Sequence, residues 1–175
     1  MKLILPAFLI LILITSCCPE PKEITAEDLK REQEAVVNVN RAYNKASEEK
    51  NFSSMVETLA GEVIFFGTDS AEIIRTFSDF KKQMLKQWEY YEKMQYGELT
   101  DVSIQMDQNA TFASIIFGVP VDLTRMGKME RHFLRVSRTL KKEKNKWVIV
   151  SGIVSIARSA DLTQDQPSAE NTKPE

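Results

Sequence analysis

Three side chains in this 175-residue sequence have the chemistry to move a proton or hold a charge away from water: Asp69, His132 and Arg138. Asp69 follows the apolar run Val63-Ile64-Phe65-Phe66 and the pair Gly67-Thr68. A carboxylate at that point is a candidate general base if burial raises its pKa toward neutrality. The plainer reading is that Asp69 caps the turn by accepting from nearby backbone. His132 is the single histidine and stands in MERHFLRVSRTL, alternating with Glu130, Leu134, Val136 and Arg138. An extended strand puts all five on one face. His132 beside a carboxylate is the second candidate base, against the plainer reading of a packed or surface histidine. Without a second histidine or cysteine nearby it makes no metal site. Glu72 and Tyr90 are further polar candidates. Tyr43, Phe66, Asp69, Trp88 and Arg138 form the set expected to face a ligand, and no cofactor is implied. No G-x-S-x-G elbow, phosphate loop or H-E-x-x-H pair occurs.

The remaining chemistry lies in Cys17-Cys18. Adjacent cysteines lack the C-x-x-C spacing of redox motifs. Leu3 to Ile14 is apolar throughout, with Lys2 before it and Pro6 inside it. Those twelve residues would make a helix of roughly 18 Å, short of a bilayer core of roughly 30 Å. A basic residue, a short apolar run and small polar residues are instead the parts of a secretory signal. Ile14-Thr15-Ser16-Cys17 resembles the lipobox of bacterial lipoproteins. The resemblance implies cleavage before Cys17, which becomes the lipidated first residue of a chain anchored in the membrane by its acyl groups. Residues 1–16 are then the signal and 17–24 a polar tether. Cys18 stands where an acidic residue often marks inner-membrane retention, which tilts the expected address to the periplasmic side of the outer membrane. An ordinary signal peptide or a short anchor with incidental cysteines is the alternative, and Cys18 is a less usual lipid acceptor because Ser16-Cys17 would precede it.

The 23 basic and 25 acidic residues leave a net charge of −2, with no clustered basic surface for nucleic acid. The run Lys141-Lys142-Glu143-Lys144-Asn145-Lys146 reads as a solvated hairpin turn. At the far end DLTQDQPSAENTKPE has no aromatic residue, which predicts a disordered tail over 159–175. A single domain is expected over 25–158.

The elements that must position the candidates follow from periodicity. Thr25 precedes Ala26-Glu27-Asp28 as an N-cap with acids in the first turn. Leu29, Val36, Val39, Tyr43 and Ala46 then share a helical face. A short helix with Phe52, Met55, Val56 and Leu59 as its apolar side is expected to end at Gly61. Val63 to Phe66 is a strand, and Ser78 is expected to cap a third helix with Phe80, Met84, Leu85 and Trp88 recurring. After Met94 the texture alternates: Thr100, Val102, Ile104 and Met106 on one face, a turn at Asp107 to Asn109, a strand from Thr111 to Val119, and a loop from Pro120 to Gly127. Strands at Lys128 to Leu140 and Trp147 to Ile156 close the chain. Helices followed by antiparallel hairpins describe an α+β domain.

AVVNVNRAYNKASEEKNFSSMVETLAGEVIFFGTDS resembles the opening of SnoaL-like domains of the nuclear transport factor 2-like superfamily. LRVSRTLKKEKNKWVIVSGIVS resembles their last hairpin, with a lysine-rich turn before a Trp-x-Ile-Val strand. The resemblance covers roughly residues 30 to 157. It implies a cone: a curved antiparallel sheet wrapped around three N-terminal helices, with a pocket at the open end. Tyr43, Phe65, Phe66, Phe77, Trp88, Phe112, Phe117 and Phe133 are the aromatic residues available to wall it. Many relatives carry a histidine shortly after Trp-x-Ile-Val, where this chain has Ser151, Gly152, Ile153 and Ser155.

Fold alone does not give function. Three readings stay open: an anchored protein binding a small apolar or amphipathic ligand or a protein partner; an isomerase or hydro-lyase using Asp69 or His132 as base; and a homodimeric scaffold joined through its sheet.

Overall fold

Thr25 opens the first helix, its hydroxyl accepting from the Asp28 N–H while the Asp28 carboxylate accepts from the Thr25 N–H. This reciprocal box satisfies two backbone donors that helix geometry leaves free. The computed structural model describes residues 24–157. The expected signal, Cys17, most of the expected tether and the expected tail lie outside those residues. Helix α1 runs Ala26–Glu48 and α2 Phe52–Val56. Strand β1 covers Leu59–Phe66, β2 Ile73–Ile74, and α3 Phe77–Tyr90. Then come β3 (Lys93–Tyr96), β4 (Thr100–Met106), β5 (Phe112–Arg125), β6 (Lys128–Glu143) and β7 (Lys146–Ile156).

The seven strands form one curved sheet in the order β2-β1-β7-β6-β5-β3, with β4 also pairing β5. The expected sheet was antiparallel throughout, but β1 and β7 run parallel, so the sheet is mixed. The chain can make that pair because its first strand and its last are separated by the whole domain, which leaves room for a crossover. The core lies between the helices and the inner face of the sheet, around Val36, Met55, Val63, Phe80, Ile115, Phe117, Leu140 and Ile149.

Four local expectations need correction. Gly61 does not end α2; it sits inside β1, and α2 stops with its cap at Glu57. Thr76, not Ser78, caps α3, its hydroxyl accepting from the Asp79 N–H at 3.1 Å. Leu85 is half exposed while Phe80, Met84 and Trp88 are buried, so the apolar stripe of α3 is narrower than its composition. Pro120 begins no loop, since β5 runs through it to Arg125. Val121 pairs with Tyr96 at the end of β3, and Gly118 with Thr100 at the start of β4. Pro120 therefore falls in the gap between those two neighbours, where its missing N–H breaks no ladder.

Two tight hairpins set the register of the long strands. Met126 (φ 49°) with Gly127 (φ 69°), and Lys144 (φ 48°) with Asn145 (φ 65°), are two-residue turns with both residues left-handed. That geometry matches strand twist and holds the ends of β5, β6 and β7 in line.

Candidate functional site

Alternation along β6 decides which side chains enter the cone. Glu130, His132, Leu134, Val136 and Arg138 all border one cavity of about 480 Å³. Across the inner face the register sets Phe65 of β1, Gly152 of β7, Arg138 of β6, Ile115 of β5 and Ile104 of β4 in one row. Gly152 is what lets that row close. A Cβ built there would lie 3.0 Å from Phe65 and 3.1 Å from the Cγ of Arg138. Gly152 thus leaves its space to the approach of an arginine and a phenylalanine.

Arg138 is only 4% exposed. Its Nη1 donates to the Asn40 Oδ1 at 2.9 Å, and the Asn40 amide donates in turn to the Val36 carbonyl at 2.8 Å. The guanidinium carbon lies 4.0 Å from the centre of the Tyr43 ring and 5.9 Å from that of Phe117. Its Nε has no hydrogen-bond partner among the described residues. Burial pulls the Arg138 pKa down, opposed by the phenols of Tyr43 and Tyr96. An arginine nevertheless stays protonated in proteins, so this is a buried cation. Burial pushes the Tyr43 phenol up to about 12, against the lowering field of Arg138, and pushes Tyr96 up as well. Both tyrosines are therefore neutral at physiological pH and supply no counter-charge.

The walls are apolar: Phe65, Ile74, Phe80, Met84, Val119, Val121, Leu134, Val136 and Val154. Behind Phe80 an aromatic stack of Phe52, Phe77 and Trp88 fixes α3 against α2, with Phe52 and Phe77 5.9 Å apart and Phe52 and Trp88 6.3 Å apart. Lys50 closes the end of α3 by donating to the carbonyls of Trp88 and Tyr91 at 2.7 and 2.8 Å, a favourable place for a cation. Polar groups collect at the opposite end from Arg138. The Glu130 carboxylate and His132 Nε2 stand 3.6 Å apart. Glu72 Oε2 accepts from the N–H groups of Thr68 and Asp69, and its Oε1 accepts from Gln83.

The expected site residues divide accordingly. Tyr43, Arg138 and His132 border the cavity, as do Glu72 and Tyr90. Phe66, Asp69 and Trp88 do not. Phe66 points to the outer face, one residue out of phase with Phe65. Asp69 accepts from the Ala71 N–H at 2.8 Å in the loop, the turn-capping role. Trp88 is packed in the aromatic stack. Asn40, Asn44, Ser47 and Tyr96 were not anticipated. The first three recur every three or four residues on the buried stripe of α1 with Val36 and Tyr43, a polar periodicity visible in VVNVNRAYNKAS. Tyr96, in a four-residue strand after α3, carries no comparable signal.

His132 and Arg138 are six residues apart on one strand, about 20 Å at the usual rise. They act at opposite ends of the cavity and cannot meet on one reacting atom. A second, more open groove of about 810 Å³ runs between α1 and the β6–β7 turn. Four of its charges pair, Lys142 with Glu32 at 2.6 Å and Lys45 with Glu49 at 3.8 Å.

A bent sheet folded over helices around an apolar cavity with a few placed polar groups defines a cone-shaped pocket domain. The chain belongs to the SnoaL-like domain family, which matches it over residues 36–159. Among curated proteins no sequence matches. Solved structures of the nuclear transport factor 2-like superfamily share the fold. A candidate scytalone dehydratase from Novosphingobium aromaticivorans superposes with a TM-score of 0.68 at 10% identity, covering 77% of this chain and 89% of its own. A candidate dehydratase of the NTF2-like family from Streptomyces avermitilis gives 0.66 at 14%, covering 74% and 99%. The CaMKII hub of S. rosetta gives 0.61 at 20%, covering 71% and 95%.

Proposed function

We propose that the protein is a lipid-anchored envelope protein that binds a small apolar or amphipathic molecule in its cone. Cys17 is the lipidated residue, and the domain stands on the periplasmic side of a bacterial membrane, with the outer membrane preferred. The lipobox-like Ile14-Thr15-Ser16-Cys17 supports the anchor. One observation carries the binding reading: a preformed cavity of about 480 Å³ with apolar walls, whose carboxylates and histidine gather at one end and whose buried cation Arg138 lies at the other. That volume and lining are those of small-molecule sites. Proton transfer needs an acid or base within reach of the reacting atom. Here Glu72 is occupied by backbone and Gln83, Asp69 is outside the cavity, and His132 is beside Glu130 near the mouth.

The test is fluorescence of Nile red, an uncharged dye, with the full chain held in lipid nanodiscs and empty nanodiscs as the blank. Binding that octanol displaces, and that Val154→Trp abolishes by filling the cavity, is the expected result. Dye fluorescence equal to the blank would remove the reading.

A homodimer is a second, compatible reading, and the outer face of the sheet favours it. Phe66, Ile153, Ser137, Ile116 and Ser103 lie in one row across β1, β7, β6, β5 and β4. Ile116 and Ile153 are each 55% exposed and Phe66 45%. Exposed apolar side chains aligned across neighbouring strands are a mark of a protein contact.

A further inference from the structure

The cavity is asymmetric in a way that its apolar walls do not require. At its closed end sits a cation with no anion. Removing a guanidinium from water costs several kcal/mol unless charge and hydrogen bonds are returned to it. Asn40 returns one neutral acceptor, the Tyr43 face returns a cation–π contact, and Nε is left with nothing. Among the described residues no carboxylate opposes Arg138. A methionine of similar length would fill the Arg138 position without any of these costs, so the charge has a use that packing does not explain.

We propose that the ligand carries a carboxylate, seated against Arg138 at the buried end of the cone, with its apolar body lying along Leu134 and Val136 toward His132. The inference rests on the cavity being a ligand site, as proposed above, and adds the chemical class of the head group. A single arginine flanked by neutral phenols balances one negative charge, which fits a carboxylate better than a phosphate dianion. Arginine presents donors in the fork that a carboxylate accepts. The apolar middle of β6 separates that seat from the polar mouth, where Glu130 and Glu72 outnumber Lys86 and disfavour a second carboxylate. Monocarboxylic acids are thereby favoured over dicarboxylic ones.

The experiment compares matched acids and amides on the full chain, following thermal unfolding by tryptophan fluorescence with increasing ligand. Octanoate and 3-phenylpropanoate are set against octanamide and 3-phenylpropanamide, with hexyl phosphate and octanedioate as the other anions. A ligand that binds only the folded state raises the midpoint in proportion to its affinity. The acids are expected to bind at least tenfold more tightly than their amides in the wild type, with the gap closed in Arg138→Met. Should Arg138→Met fail to fold, carboxyl-labelled octanoate read by carbon NMR replaces it, and the bound carboxyl is expected to stay ionised well below its free pKa. Equal shifts from acids and amides would leave the cavity a ligand site and overturn the carboxylate. A larger shift from hexyl phosphate or octanedioate would also overturn it. No shift from any compound would remove the carboxylate and the cavity reading together.

Discussion

The guanidinium carbon of Arg138 lies 4.0 Å over the ring of Tyr43, and the same guanidinium donates to Asn40, three residues before Tyr43 on α1. The contact ties α1 to the centre of the sheet through Arg138, the one buried cation among the described residues. It is a costly way to join two elements, and its energetics are open to test.

Asn40→Leu takes the neutral acceptor from a buried charge. A hydrogen bond to a charged group is worth about 1.5–3 kcal/mol, so urea unfolding is expected to show a loss of about 2 kcal/mol. Arg138→Met removes the charge itself and fills similar volume, so its stability is expected to equal or exceed the wild type. A larger loss for Arg138→Met than for Asn40→Leu would mean that the arginine is there to hold the fold.

The alkaline limb of stability is expected to report the same contact. Tyr43 is held up to about 12, above its ordinary 10.0. The folded state keeps its proton where the unfolded chain has lost it, so the stabilisation is complete below about pH 10. It is lost as pH rises from there through 12. Ultraviolet titration should find Tyr43 among the last of the four tyrosines to ionise. Tyr43→Phe should flatten that limb, and an unchanged slope would place the sensitivity elsewhere.

For the outer face, sedimentation equilibrium of the full chain in detergent is expected to give a concentration-dependent dimer. Ile116→Lys with Ile153→Lys should shift it to monomer while leaving the circular dichroism spectrum unchanged. Identical association in the double variant would exclude that face as the contact.

For the anchor, Cys17→Ser is expected to abolish metabolic labelling with palmitate and to leave the protein either soluble or unprocessed. Membrane attachment of a correctly cleaved Cys17→Ser protein would contradict lipidation at Cys17.

Much of this architecture could be read from residue order. The N-cap at Thr25, the spacing of Val36, Val39, Tyr43 and Ala46 on α1 and of Phe80, Met84 and Trp88 on α3, and the alternation of Glu130 to Arg138 are local patterns that local geometry reproduces, whereas Leu29 and Leu85, expected on those faces, are exposed. The parallel pairing of β1 with β7 joins residues about ninety positions apart and leaves no local mark. Pro120 misleads for a related reason: whether a missing N–H matters depends on what lies on that side of the strand, and Pro120 falls between the ends of β3 and β4. In the site, Tyr43 and Arg138 were legible as polar residues on apolar faces. Phe66 and Asp69 failed by phase and by distance: a strand sends neighbours Phe65 and Phe66 to opposite faces, and Asp69 falls beyond the strand in a turn that uses its carboxylate.

The central claim is that the cone holds an apolar acid by its head, and anomalous scattering from crystals of the protein grown with bromo-octanoate tests it most directly. The expected map has a bromine peak inside the cone near Leu134 and His132, with the carboxylate against Arg138. A peak confined to the outer sheet face, or a cone filled only by water, would contradict it.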